Sequence, residues 1–297
     1  MRVFVTGASG YIGGTVAARL IARGDGVLGL VRSREKADAV TALGFEPLIG
    51  TLADPDILAE GARRADAVIH TANSDDPWSA EALLAALEGT GKSFVQTSGS
   101  SIVADRAAGE PSQLVFHEDT IFDPLPERML RVAIDQRVLR AAHRGVRSIV
   151  LRPGLVYGRG AGVHRDSIQL PKLAGVARRD GVARHVGRGL NRWAHVHIDD
   201  LAELFLLALD RAPGGSLFYV ESGETAWRDI ARAVGRALGL GDAAEPWPIA
   251  AAVKEWGAAA WTSFGSNSRV RADKARAMLG WEAKAPGLLE TIPTTLS

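Results

Sequence analysis

The sequence predicts an α/β fold, a doubly wound parallel sheet with a smaller C-terminal substrate lobe, and three observations predict it. Short apolar runs alternate with helix-period segments through the first half of the chain. A glycine-rich turn joins the first apolar run to the first helical segment. After Pro153 the alternation loosens, and glycine, arginine and tryptophan become prominent. At 297 residues there is room for one large α/β unit with a lobe.

The elements follow in order. VFVTG at 3–7 is a first strand ending in glycine, and TVAARLIARG at 15–24 a helix closed by Gly24. GVLGLV at 26–31 is a second strand, 35–44 a helix closed by Gly44, and FEPLIG at 45–50 a third strand. The next helix begins at Asp54, with Pro55 suited to its first turn. DAVIHTA at 66–72 is a fourth strand, WSAEALLAALEGTG a fourth helix and KSFVQTSG at 92–99 a fifth strand. ERMLRVAIDQRVLRAA at 127–142 places Leu130, Ile134, Val138 and Ala141 on one apolar stripe, and RSIVLRP at 147–153 completes a sixth pair. Strands separated by single helices imply βαβ units and parallel pairing.

Residues 156–190 are rich in glycine and arginine, with a helix expected near 166–178. HVHI at 195–198 and SLFYV at 216–220 read as strands with the helix LAELFLLALD between them. Short helices follow from 225, with Trp227, Trp247, Trp256, Trp261 and Trp281 expected mainly in the core of the lobe. The expected division is a dinucleotide-binding domain over 1–155, to which 191–220 returns, and a mainly substrate-binding lobe over 156–297. Ligands of open α/β sheets bind at the carboxyl ends of the strands, beneath such a lobe.

Composition narrows the chemistry. A net charge of +1 gives no electrostatic case for nucleic acid or an anionic membrane as partner. The absence of cysteine excludes disulfides, thiolate catalysis and zinc–thiolate sites. LFLLAL at 204–209 is too short to span a bilayer, and strand-forming residues from Arg2 leave no room for a signal peptide. The expectation is a cytoplasmic enzyme or binding protein with a small-molecule substrate.

The strongest motif is TGASGYIGG at 6–14, which spaces Gly7, Gly10 and Gly13 between a strand and a helix. Gly7 permits the tight turn, Gly10 lets the backbone approach a pyrophosphate, and Gly13 lets helix and strand pack closely. The helix terminus then faces the phosphates. Ser9, Tyr11 and Ile12 of the turn, Leu52 after the third strand, Thr71 and Ala72 after the fourth, and Pro153 complete the expected cofactor site. At the end of the second strand, where NAD sites usually carry a carboxylate, stand Arg32 and Ser33. A guanidinium and a hydroxyl suit a 2′-phosphate, so NADP is preferred and NAD remains possible.

TGASGYIGG, VIHTA, VQTSGSS, LRPGLVYG and HVHIDD occur here in the order seen in extended short-chain dehydrogenases/reductases. Over about residues 1–220 the chain resembles their epimerase/dehydratase branch, with a Rossmann-type sheet, and most resembles its atypical members. The resemblance implies a Tyr-x-x-x-Lys dyad on the helix at 127–142, with tyrosine as the proton donor or acceptor and lysine on the nicotinamide ribose. Counting back from LRPG puts Arg128 and Val132 in those places. Tyr11, Tyr157 and Tyr219 are followed four residues on by Thr15, Ala161 and Gly223, so the dyad is absent in every register.

Other candidates then carry the chemistry. The resemblance matches Ser100 to the catalytic serine or threonine, with Ser98 beside it as a substrate contact, and puts Tyr157 on a loop near the nicotinamide. It also makes Arg192 a contact for a substrate phosphate or carboxylate. Arg128 is a poor acid but suits a carbonyl or a carboxylate electrostatically. His117 is an unconventional acid/base candidate, because histidine is the side chain suited to proton transfer at physiological pH. His195 and His197 alternate on one strand face without a third ligand, so no metal is expected, and Asp199 or Asp200 is expected to cap the following helix.

The family implies a possible homodimer through the helices near 78–90 and 126–145. Three functions remain open. The first is an NAD(P)-dependent oxidoreductase or epimerase/dehydratase-like enzyme with a nonstandard proton donor, acting on a small, rather apolar carbonyl or hydroxyl compound. The others are a dinucleotide-binding sensor or regulator and a structural protein on the same scaffold.

Overall fold

In the computed structural model, which describes residues 1–296, the chain runs β1 (Arg2–Thr6), α1 (Tyr11–Ala22), β2 (Gly26–Val31), α2 (Arg34–Thr41), β3 (Glu46–Ile49) and α3 (Pro55–Arg64). It continues through β4 (Ala67–His70), α4 (Pro77–Leu87), β5 (Ser93–Thr97), α5 (Met129–Arg140) and β6 (Arg147–Pro153). The remainder is β7 (Leu155–Tyr157), α6 (Gln169–Asp180), β8 (Ala183–Val186), β9 (Arg192–His197), α7 (Ile198–Arg211) and β10 (Ser216–Val220). Last come β11 (Gly223–Ala226), α8 (Trp227–Ala237), β12 (Ala244–Trp247), α9 (Ile249–Trp256), a π-helical turn at Ala260–Phe264, α10 (Asp273–Leu279) and α11 (Leu288–Leu296).

Seven strands form one all-parallel sheet in the order β10-β6-β5-β4-β1-β2-β3. The pleat of β1 shows how it is held. Val3 and Val5 enter an apolar cluster with Val16 and Leu20 of α1 and Leu201 and Phe205 of α7. Phe4 points to the other face, against Leu58 of α3, Leu83 of α4 and Val138 of α5. Both faces are therefore covered, which is why the strands read as continuous apolar runs. Caps fix the helix starts: Asp54 accepts from the Ile57 N–H at 3.2 Å, and Asp76 from the Trp78 N–H at 3.0 Å. No helix of the described residues is long and apolar enough to cross a membrane.

The lobe differs from the expectation in its strands. β9 does not join the large sheet; it pairs with β7 and β11 in a three-stranded sheet of order β11-β9-β7. β8 and β12 form a separate parallel pair. α7 and β10 do return to the large unit, and so does Trp281, fully buried with Ala275 and Leu279 against α7. The lobe's own core is built by Tyr157, Trp193, Trp227 and Phe264.

Two boundaries are corrected. α1 starts at Tyr11 rather than Thr15, because Gly13 and Gly14, poor helix formers by propensity, lie inside its first turn. The cap of α7 is His197, whose Nδ1 accepts from the Asp199 N–H at 3.2 Å, not an aspartate. Asp200 instead accepts from the Lys284 N–H at 2.9 Å and from the Ala285 N–H, tying the C-terminal segment to α7.

Candidate active site

The sheet order places β1 between β2 and β4, so the chain leaves β1 on opposite sides of its neighbours and a crevice opens at their carboxyl ends. A cleft of about 480 Å³ lies there, lined by Gly7, Ser9, Gly10, Tyr11, Ile12 and Gly13, with Arg32 and Lys36 beyond β2, Leu52 beyond β3, and Thr71 and Ala72 beyond β4. Of the expected cofactor residues, Ser33 and Pro153 are not in this lining. The Ser33 hydroxyl caps α2 by accepting from the Lys36 N–H at 3.3 Å, and Pro153 lines a second cleft.

The glycines form a cradle whose geometry fits a dinucleotide. Gly7 has φ +74°, and its carbonyl accepts from the Gly10 N–H at 2.8 Å, closing the turn. A Cβ on Gly13 would stand 2.4 Å from the Gly7 carbonyl oxygen and 2.3 Å from Thr71 Oγ1. Gly10, by contrast, has only one close neighbour, the Gly7 oxygen at 3.1 Å from a Cβ, so its bare face is turned to the cleft. These residues fit a pyrophosphate at a helix N-terminus. The loop after β7 closes the cleft from above. Tyr11 donates to the Gly158 carbonyl at 2.7 Å, and the His164 N–H donates to the Ser9 carbonyl at 3.1 Å.

No carboxylate of β2 or α2 lines the cleft; the one acid in its wall is Asp166, from the loop after β7. Among the described residues neither Arg32 nor Lys36 makes an ion pair, whereas the neighbouring Arg34 lies 3.8 Å from Asp38.

Tyr11, Ile12 and Ile168 are shared with a second cleft of about 330 Å³, beyond β5 and β6. Its walls include Ser98, Gly99, Ser100 and Ser101, Arg128 and Arg131, Pro153 and Gly154, and Trp193 and Ser263 from the lobe. The hydroxyls are not equivalent. Ser98 donates to Asp135 Oδ2 at 2.9 Å, and Arg152 Nε donates to the same oxygen at 2.8 Å. Asp135 is fully buried; burial pushes its pKa up, opposed by the Arg152 charge. Ser100 faces Ser268, the two Oγ atoms 2.8 Å apart. Ser101 Oγ accepts from Arg131 Nη1 at 3.1 Å, which leaves its own proton unassigned.

Arg131 also clasps Asp75 with two nitrogens, Nε at 2.8 Å, and its hydrogen bonds hold the Asp75 carboxyl below the usual carboxylate range. Arg128 Nη2 donates to Thr262 Oγ1 at 2.7 Å. Val132 is not in the wall; with Phe116 and Phe122 it packs against the small apolar cluster of Ile102, Val103, Tyr219 and Val270. Counting from LRPG thus found one of the two guanidiniums, and Arg131, one residue before the position counted, is the other. A one-residue error turns a helical side chain by about 100°, enough to exchange cleft for core.

Three expected candidates, Tyr157, His117 and Arg192, stand elsewhere. Tyr157, 1% exposed, donates to the Pro286 carbonyl at 2.9 Å and meets His195 and His197 edge-on. His195 Nε2 lies 2.9 Å from Thr225 Oγ1, and burial lowers its pKa to about 4. His117 is exposed, 3.2 Å from Asp273, and lines neither cleft. Arg192 joins Arg269 and Arg271 on the Glu224 carboxylate, also outside both clefts. Each is committed to a partner that brings the lobe's segments together. His70, at the end of β4, is a buried spacer: Thr6 Oγ1 stands 2.6 Å from its Nδ1, and burial lowers its pKa to about 4.

Comparison with known proteins shows the family and the fold. A sequence model of the NAD dependent epimerase/dehydratase family matches residues 3–219. An uncharacterized protein of Schizosaccharomyces pombe is 34% identical over 81% of each chain. A 4-hydroxy-2-methyl-3-oxo-4-farnesyl-3,4-dihydroquinoline-1-oxide ketoreductase of Stigmatella aurantiaca is 32% identical over 75% of this chain and 69% of its own. Among solved structures, UDP-glucose 4-epimerase of Thermotoga maritima with UDP-glucose aligns over 100% of this chain and 97% of that one, with a TM-score of 0.78 at 19% identity, a likeness of fold.

Proposed function

The chain belongs to the NAD-dependent epimerase/dehydratase family, and from that premise we propose that it is an NADP-dependent oxidoreductase acting on a small carbonyl or hydroxyl compound through a nonstandard proton donor. The observation that carries this reading is the continuity of the two clefts through Tyr11, Ile12 and Ile168, one half fitted to phosphates and the other lined by hydroxyls and guanidiniums. When bound, the nicotinamide cofactor supplies or accepts the hydride. Gly7, Gly10 and Gly13 would hold its pyrophosphate, and Arg32 with Lys36 would take a 2′-phosphate by charge-assisted hydrogen bonds.

In the reducing direction the chain's own task is a proton for the carbonyl oxygen. Ser101 fits it better than Ser100. Its oxygen accepts from the Arg131 guanidinium, which stabilises negative charge on the serine as its proton leaves for the substrate. Solvent returns that proton. Asp75 holds the guanidinium in place. The tyrosine in the cleft, Tyr11, is a poor acid there: burial and the nearby Asp199 carboxylate push its pKa upward, and its hydroxyl is given to Gly158. The ketoreductase name borne by the Stigmatella aurantiaca relative supports a carbonyl substrate.

The test is NADPH oxidation, followed by absorbance, across a panel of ketones, with Ser101→Ala alongside. Turnover that falls on the order of a hundredfold in the variant, with NADPH still bound, supports the role. No turnover across the panel with tight NADPH binding would instead favour the sensor.

We also infer a homodimer through α4 and α5. Trp78, 82% exposed, and Leu130, 51% exposed, line an apolar groove of about 310 Å³ between these helices with Ala80, Ala133 and Ile134.

A further inference from the structure

The second cleft has an unusual charge content. Six of its lining residues are serines, two are arginines, and none is a carboxylate. Asp75 lies just outside and neutralises Arg131 by a two-nitrogen clasp. Arg128 has no such partner. Its one side-chain bond is to a neutral hydroxyl, Thr262 Oγ1 at 2.7 Å, and its Nε is buried without a hydrogen-bond partner among the described residues. The nearest acid in sequence, Glu127, is taken by Arg106. Burial pushes the Arg128 pKa down and the Arg131 charge adds to this, against the opposing pull of the Asp75 and Glu127 carboxylates, neither of which is hydrogen-bonded to Arg128. Thr262 and the cleft-lining Ser263 sit on the π-helical turn Ala260–Phe264, a rare geometry often found at functional sites. An apolar ketone alone would leave this positive charge unanswered.

We propose that the substrate is an oxo acid, with a carboxylate one or two carbons from its carbonyl, and that Arg128 binds that carboxylate. The inference rests on the oxidoreductase reading and deepens it. The cleft holds one guanidinium without an ion-pair partner among the described residues, which matches a monoanion. The spacing fits as well. Arg128 and Arg131 are three residues apart at the start of α5, so their side chains leave the backbone about 5–6 Å from one another. Arg131 holds Ser101 at the carbonyl, and Arg128 holds the acid group beside it. Thr262 is the positioning residue, joining the lobe to the guanidinium through its hydroxyl.

Two measurements test this. NADPH oxidation is compared for 2-oxo- and 3-oxohexanoate and for their methyl esters, and the acid-to-ester ratio of kcat/KM is read in wild type, Arg128→Gln, Arg128→Lys and Thr262→Val. The expected wild-type ratio is about tenfold or more for at least one acid, since a charged hydrogen bond is worth that much. It should fall to about one in Arg128→Gln, be largely kept in Arg128→Lys and be reduced in Thr262→Val. Independently of turnover, calorimetry measures hexanoate against hexanamide on the NADP-loaded protein. Hexanoate binding should lose about tenfold in Arg128→Gln, with no comparable loss for hexanamide. Esters and acids reduced equally well would overturn the inference while leaving the oxidoreductase reading intact. No reduction of any compound, with Arg128-dependent hexanoate binding, would do the reverse. Carboxylate binding indifferent to Arg128 overturns the inference whether or not the protein reduces anything.

Discussion

Alanine at Gly13 and alanine at Gly10 should separate the fold of the glycine turn from its use. At Gly13 the added methyl carbon would lie 2.4 Å from a backbone oxygen and 2.3 Å from Thr71 Oγ1, so something must move. Thr71 is not free to move at no cost, because its hydroxyl donates to the Thr6 carbonyl at 2.7 Å. Overpacking costs about 1–3 kcal/mol and a lost hydrogen bond about 1 kcal/mol more. With an unfolding entropy of about 2 cal/mol/K per residue, the sum corresponds to a Tm lower by roughly 3–6 °C in a chain of this length. At Gly10 the backbone, φ −82° and ψ 177°, suits alanine, and the one near atom is 3.1 Å away. Gly10→Ala should therefore melt within about 1–2 °C of wild type, yet its methyl stands where a pyrophosphate must approach. NADPH fluorescence titration should show at least about a tenfold loss of affinity, near 1.4 kcal/mol. Thermal melts and titrations of both variants decide the matter. A Gly10→Ala protein with wild-type NADPH affinity would refute the placement of the cofactor, and an unshifted Gly13→Ala would refute the packing argument.

Other perturbations follow from the same structure. Arg32→Asp should reverse the cofactor preference, costing NADPH about 10–100-fold in affinity and NADH little; equal losses for both would remove the 2′-phosphate assignment. Glu224 is held at about 2 against 4.5 for an ordinary glutamate: burial alone would raise its pKa, and hydrogen bonds from Arg269, Arg271 and Arg192 outweigh it. A depressed carboxylate contributes stability above its unfolded pKa that is lost as pH falls through its folded one. Wild type should thus lose on the order of 2 kcal/mol between about pH 4.5 and 2 that Glu224→Gln, already lacking it, does not lose; parallel melting curves over that range would show the cluster to be inert. Trp78→Glu should convert a dimer to a monomer in light scattering at micromolar concentration, and a wild-type monomer would dispose of the interface.

Local signals carried much of the fold. Apart from the edge strand β3, the strands of the large sheet are buried on both faces, so apolar runs marked them without knowledge of their neighbours, and the turn at Gly7 and the close packing at Gly13 were legible because a tight turn between strand and helix is a contiguous problem of chain geometry. The small sheet β11-β9-β7 was not legible, since its pairing depends on segments 28 to 40 residues apart folding over one another. The second cleft was legible only in part. Ser100 and Arg128 were singled out from the chain, but Ser101 and Arg131 were not, because which of two adjacent side chains faces a cleft is set by the rotation of a helix or turn against its packing partners. Tyr157, His117 and Arg192 carry plausible chemistry as residues; their partners Pro286, Asp273 and Glu224 lie 129, 156 and 32 positions away, and only the folded chain brings those together. The sequence by itself determined the parallel sheet, the glycine turn and the missing tyrosine and lysine, all matters of neighbours along the chain. The tertiary structure alone decided which hydroxyl meets a guanidinium and which guanidinium is left without an anion, because burial and charge balance are properties of the surroundings, not of the residue.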